Sequence, residues 1–199
     1  MSPTAARNKP APLPVGRLEW RTLLGWLRED GVVSPADADL VVKRFGAGDS
    51  SLHSLVRLGS AGLMHGGKPL DTEALTVWLA GRVQLPYLRI DPLKVDVGRV
   101  AEVMSVQYAL MRHVLPVTVG ATEITIATSE PCDTAWLPEI ESHSRKRVRL
   151  VLANPDDIAR YTTEFYTLAR SVRAAQKSGE VAATANFEQL VELGRANKQ

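Results

Sequence analysis

The spacing of apolar residues changes period part-way along this chain, and that change restricts the fold more than any other feature. In the first half the spacing is helical: Trp20, Leu23, Leu24 and Leu27 fall at i, i+3, i+4 and i+7 and form one stripe. Gly31 ends that helix, and Ser34-Pro35 opens a second whose buried face is expected to be Leu40, Val41 and Phe45. Asp49 or Ser50 is the expected cap of a third, carrying Leu52, Leu55, Val56 and Leu58. After the glycine-rich stretch from Gly59 to Gly67, Asp71 or Thr72 caps a fourth, with Leu75, Trp78, Leu79 and Val83 on one face. Helices this short are marginal alone, so they must pack on one another.

Beyond Pro86, Tyr87 to Ile90 reads as a short strand, and two short helical patterns follow. Val97, Val100, Ala101 and Met104 mark the first; Val106, Ala109 and Leu110 mark the second. The period then falls to two. Leu115, Val117 and Val119 alternate, Gly120-Ala121-Thr122 turns, and Ile124 and Ile126 alternate again, which predicts a hairpin. A helical segment from Asp133 to Ser144 leads to a third strand at Val148, Leu150 and Leu152. Asn154-Pro155 then opens a last helix that buries Ile158, Tyr161, Phe165 and Leu168. The expected class is α+β, a small N-terminal helical bundle followed by a small α/β sandwich domain of about three strands and several helices. Expected boundaries are a flexible arm at 1–16, a helical domain at 17–86, an α/β domain at 87–170 and a linker at 171–199, where Ser, Ala, Lys and Gly take over.

Charge excludes several function classes. The 24 basic and 22 acidic residues are well mixed and leave a net +2, so no strong field exists to recruit nucleic acid. No apolar run approaches the roughly 18 to 20 residues that cross a bilayer, so no direct membrane insertion is expected. Residues 1–15 carry Pro3, Pro10, Pro12 and Pro14 and lack the apolar core of a secretory signal. The single cysteine, Cys132, has no partner within the chain, which fits a reducing, cytoplasmic setting.

One string comes close to a phosphate-binding loop, Gly62-Leu63-Met64-His65-Gly66-Gly67-Lys68-Pro69. Pro69 stands where Ser or Thr must hold magnesium, it removes a backbone donor, and the preceding segment reads as helix rather than strand. A connecting loop is the expectation there. The histidines His53, His65, His113 and His143 lack metal-ligand spacing, and no serine sits in a nucleophile-elbow motif, so neither a metal site nor a catalytic centre is expected. The basic run Arg145-Lys146-Arg147 with Arg149 reads either as a phosphate or acidic-surface site or as a strand edge protected by charge.

Three landmarks occur in order. The first is Leu79-Ala80-Gly81-Arg82-Val83-Gln84-Leu85-Pro86-Tyr87-Leu88; the second is Leu115-Pro116-Val117 with Ile124-Thr125-Ile126-Ala127-Thr128-Ser129-Glu130-Pro131; the third runs from Ala153-Asn154-Pro155 through Phe165-Tyr166. Together they resemble the N-terminal region of the type II secretion and type IV pilus assembly ATPases, over about Leu18 to Tyr166. Phe187 to Gly194 is similar to the segment that enters the motor half, so of two readings, a piece cut before that motor or a stand-alone regulator, the first is expected, and the chain itself is expected to lack enzymatic activity. The resemblance implies a cytoplasmic docking domain, peripheral to the inner membrane through a platform protein and joined to the motor domain of the parent ATPase.

One branch of that family binds cyclic di-GMP as a regulatory ligand, through paired motifs resembling R-L-G-x-x-L-V-x-x-G. By that resemblance the first copy keeps Leu27 and Gly31 but has Thr22 at the arginine position, so Arg17 or Arg21 would substitute. The second offers Arg57, Leu58 and Gly59, with later leucines out of register. Protein docking and nucleotide sensing are therefore both open.

Overall fold

The computed structural model describes residues 12–48 and 50–196, with side chains through residue 179. Helix α1 (Trp20–Glu29) buries Trp20, Leu23, Leu24 and Leu27, the stripe that the spacing predicts. Helix α2 (Pro35–Phe45) starts where Ser34 Oγ accepts the Asp37 N–H at 3.1 Å, with proline in its first turn. It buries Ala38 and Val41, whereas Leu40, expected inside, is 62% exposed. At about 100° per residue, Leu40 lies about 200° round the helix from Ala38 and faces solvent.

Helix α3 (Ser54–Gly59) begins later than expected, because His53 caps it: its Nδ1 accepts the Leu55 N–H at 3.2 Å. Leu52 precedes the helix and is exposed, Ser50 is not the cap, and Asp49 lies outside the described residues. The near-phosphate-loop string is a tight hairpin. Strands β1 (Met64–His65) and β2 (Lys68–Pro69) pair antiparallel around Gly66 and Gly67, whose φ values of 58° and 76° supply the two left-handed residues of a two-residue turn. Helix α4 (Thr72–Val83) starts only after Asp71, whose carboxylate accepts the Ala74 N–H at 2.8 Å. It buries Leu75, Thr76, Leu79 and Ala80. Its outer edge is tied to the end of α1: Trp78 Nε1 donates to Asp30 at 2.9 Å, and Arg82 pairs with Glu29 and Asp30.

The strand expected at Tyr87 to Ile90 shrinks to one bridge, Tyr87 to Leu152, with the Leu88 N–H and the Pro86 carbonyl bonded to Leu152 at 2.8 Å each. A 3-10 turn (Pro92–Lys94) and helices α5 (Val97–Val103) and α6 (Val106–Arg112) follow. The hairpin is present as β3 (Val114–Val119) and β4 (Glu123–Thr128), with a register shift between Pro116 and Thr118. Helix α7 (Leu137–Ser144) crosses over to β5 (Arg147–Leu152), which pairs parallel to β4 with Ile124 opposite Val148 and Ile126 opposite Leu150. Helix α8 (Pro155–Ala196) packs through Ile158, Thr162, Phe165, Tyr166 and Ala169. Leu168 and Leu110, expected inside, are 51% and 43% exposed, each beside the buried stripe rather than on it.

The architecture is thus α+β, a set of short helices followed by a three-stranded mixed sheet with helices, as the change of period predicts. One core gathers the apolar residues of α1 to α4 and takes in Cys132 and Leu152 from the second half. A second core joins the sheet to α5, α6, α7 and α8. The stretch expected as a linker continues α8 to Ala196, and side chains 171–179 are exposed. Ala, Lys, Gln and Glu sustain helix without a buried face, so the change of composition marks the end of packing and not the end of helix. The expected arm lies mostly outside the described residues, and its last residue, Gly16, donates its N–H to the Cys132 carbonyl at 2.9 Å. Among the described residues, no helix is long and apolar enough to cross a membrane.

Candidate functional site

Arg17, Arg21 and Arg57, which the sequence offers from separate stretches, line one cavity of about 460 Å³. Arg17 enters from the segment before α1, Arg21 from the first turn of α1 and Arg57 from α3. The Arg21 guanidinium lies 4.4 Å from the centre of the Trp20 ring, and that of Arg57 lies 4.6 Å from the Phe45 ring and 5.3 Å from Trp20. The Trp20 and Phe45 rings meet edge to face at 5.0 Å, so the aromatic pair serves as a rigid backing for two cations.

Backbone carbonyls hold the arginines in place. Arg17 donates to Met111 O at 2.9 Å, Arg21 to Gly46 O at 2.8 Å, and Arg57 to Phe45 O and Gly48 O at 3.2 Å each. Among the described residues no carboxylate lies within ion-pair distance of any of the three. Each guanidinium carries five N–H donors, so most remain for a ligand. Three such forks around one cavity suit phosphate oxygens or the acceptor edge of a guanine.

The second half of the chain closes the cavity with His113 and Glu130. Glu130 is 3% exposed; its carboxylate accepts the Leu18 N–H at 3.0 Å and sits 2.9 Å from His53 Nε2. Because His53 Nδ1 accepts from Leu55, Nε2 carries the proton and donates to Glu130 and, at 3.1 Å, to Ser129 O. The His113 ring lies edge-on to His53 at 5.7 Å. Burial, and then the charges of His53 and Arg17, hold the His113 pKa below the ordinary imidazole value. Burial, and then Glu130, push the Cys132 thiol up, which keeps it protonated and unreactive.

The remaining residues expected at the site stand elsewhere. Leu27 and Leu58 are fully buried in the helical core, Gly31 supplies a φ of 69° after α1, and Gly59 packs against Thr72. His53, His113, Glu130 and Trp20 line the cavity without having been singled out as site residues. A lone buried carboxylate far along the chain carries no local signal, whereas Trp20 beside Arg21 is a legible stacking pair. Among the described residues, no group of three His, Cys, Asp or Glu residues is placed to hold a metal ion.

The family model described as the MshEN domain matches residues 83–172. That stretch, a little under half of the chain, is similar to an MshEN domain. The chain is 39% identical over 115 residues to the type IV pilus assembly ATPase TfpB of Acinetobacter baylyi, which is 57% of this chain and 20% of that protein. It therefore spans about a fifth of the length of that relative. A solved structure of MshE with cdg superposes at a TM-score of 0.53 and 19% identity, covering 72% of this chain and 98% of that one, so the two share a fold. The N-terminal domain of XpsE aligns at a TM-score of 0.48 and 16% identity, over 76% of this chain and 99% of that one. The matched stretch contributes His113 and Glu130 to the cavity; all three arginines precede it.

Proposed function

We propose that this chain is a regulatory and docking domain of a type II secretion or type IV pilus assembly ATPase, and that its arginine-lined cavity receives cyclic di-GMP. One observation carries the ligand reading: Arg17, Arg21 and Arg57 converge on a single cavity with no carboxylate partner among the described residues. Arg17 and Arg21 are exposed and Arg57 is half-buried, and of the two carboxylates that line the cavity Glu130 is already engaged by Leu18 and His53, so the guanidinium donors stay open to an incoming anion. MshE, which shares the fold, has been solved with cdg. The helical unit at 17–86 supplies the arginines and the α/β unit at 87–170 supplies His113 and Glu130. Residues 171–196 continue α8, and the stretch 171–199 leads toward the parent's motor domain. In this reading the domain works in the cytoplasm, held at the inner membrane by the platform protein.

Isothermal titration of cyclic di-GMP into the chain tests the ligand. A dissociation constant on the order of micromolar, roughly 8 kcal/mol of binding, is expected. Arg57→Ala should weaken it by about tenfold or more, the loss of one or two charge-assisted hydrogen bonds. A flat titration on a folded sample overturns the reading. Platform docking is favoured by Leu40 and Leu52, exposed at 62% and 55% on the helical unit. Failure of the platform's cytoplasmic part to retain the chain at tens of micromolar would remove that half of the proposal.

A further inference from the structure

At the opposite end of β4 from Glu130 lies a second cavity, of about 540 Å³, between α5, the β3–β4 turn and the start of β5. Six strand residues at about 3.3 Å each put the two cavities roughly 20 Å apart. We infer that this second cavity is a separate anion site, taking a phosphate monoester that carries an apolar group.

Two permanent cations from different elements face it. Arg99 of α5 is anchored by a bond to the Val119 carbonyl at 3.4 Å, and Lys146 donates to the Gly120 carbonyl at 2.7 Å. Neither has a carboxylate within ion-pair distance among the described residues. Glu102 is the one carboxylate among the lining residues, and Arg173 of α8 engages it at 3.5 Å. The local balance among the lining residues is therefore positive.

Val103, Val119 and Ile124 form an apolar side of the wall, and His143 and Ser144 at the end of α7 add polar groups to the rest. The volume lies within the range of small-molecule sites, and a few polar groups on an apolar wall are their usual composition. A dianionic monoester satisfies both cations with one group, the Arg99 fork by two oxygens and Lys146 as a point charge. A carboxylate brings one charge and leaves one cation unmatched. Of the basic run at 145–149, open to two readings in the sequence, Lys146 is on this account part of a site. Nothing here depends on the cyclic di-GMP reading.

Amide chemical shifts of the 199-residue chain, titrated with phenyl phosphate, test the inference. Saturable shifts are expected at Gly120, Ala121 and Lys146. The double variant Arg99→Gln, Lys146→Gln should bind at least about tenfold more weakly. Inorganic phosphate should move the same amides with lower affinity, since it leaves the apolar wall unfilled. Glu102→Gln, which keeps both cations and removes the lining carboxylate, should bind more tightly and serves if the double variant does not fold. Shifts that never saturate, shifts confined to Leu18, Ser54 and Arg57, equal affinity for the two phosphates, or no effect of the substitutions would each overturn it.

Discussion

His113 occupies a left-handed backbone position, φ 54°, at the end of α6, and its ring is pressed between His53 and Arg17. Its folded pKa is below the unfolded value, so the unfolded chain binds the extra proton first as pH falls. Stability from this group is complete above the ordinary imidazole pKa of about 6.5 and is lost as pH drops from there toward the folded pKa. Denaturant midpoints of the chain and of His113→Asn, which tolerates the left-handed conformation, should therefore diverge between pH 7 and pH 5, with the native sequence losing more. Parallel curves would show that His113 does not titrate against folding. At this scale Arg17, Arg21 and Arg57 were named only by resemblance to a family motif, and their convergence on one cavity comes from the fold. Glu130 was not, since its burial depends on α3 and on the residue before α1, both remote in sequence.

The helices were legible to the extent that their buried stripes are wide. Helix α1 buries all four residues of its apolar stripe, whereas α2 and α6 bury narrow stripes, and Leu40 and Leu110 beside them were misassigned. Local rules also missed the His53 cap, since serine and aspartate are stronger capping residues than histidine. Gly66-Gly67 did signal a two-residue turn, but the flanking strands are two residues each and carry no alternation to reveal them. Close approach of α3 to α4 rests on Gly59, where an added Cβ would meet Thr72 N and Thr72 Oγ1 at 2.6 Å each. Backbone cannot yield as a side-chain tip can, so Gly59→Ala should cost about 1 to 3 kcal/mol, read from chemical denaturation. A neutral effect would mean that α3 and α4 adjust freely. The R-L-G string thus holds Arg57 in place through packing as well as through sequence proximity.

In the whole molecule, the arginine cavity belongs to neither half alone. Helical residues supply the cations and the aromatic backing, and the second half supplies His113 and the Glu130 carboxylate that closes on Leu18 and His53. Cys132 and Leu152 carry the helical core across the same seam. A ligand seated there touches both halves, so its binding free energy acts on their relative packing, which is the coupling a regulatory domain requires. The most direct test is a two-dimensional amide spectrum of the chain with cyclic di-GMP. Saturable shifts are predicted on both sides of the seam, at Leu18, Ser54 and Arg57 and at His113, Ser129 and Glu130. An unchanged spectrum, or shifts confined to Gly120, Ala121 and Lys146, would contradict the account.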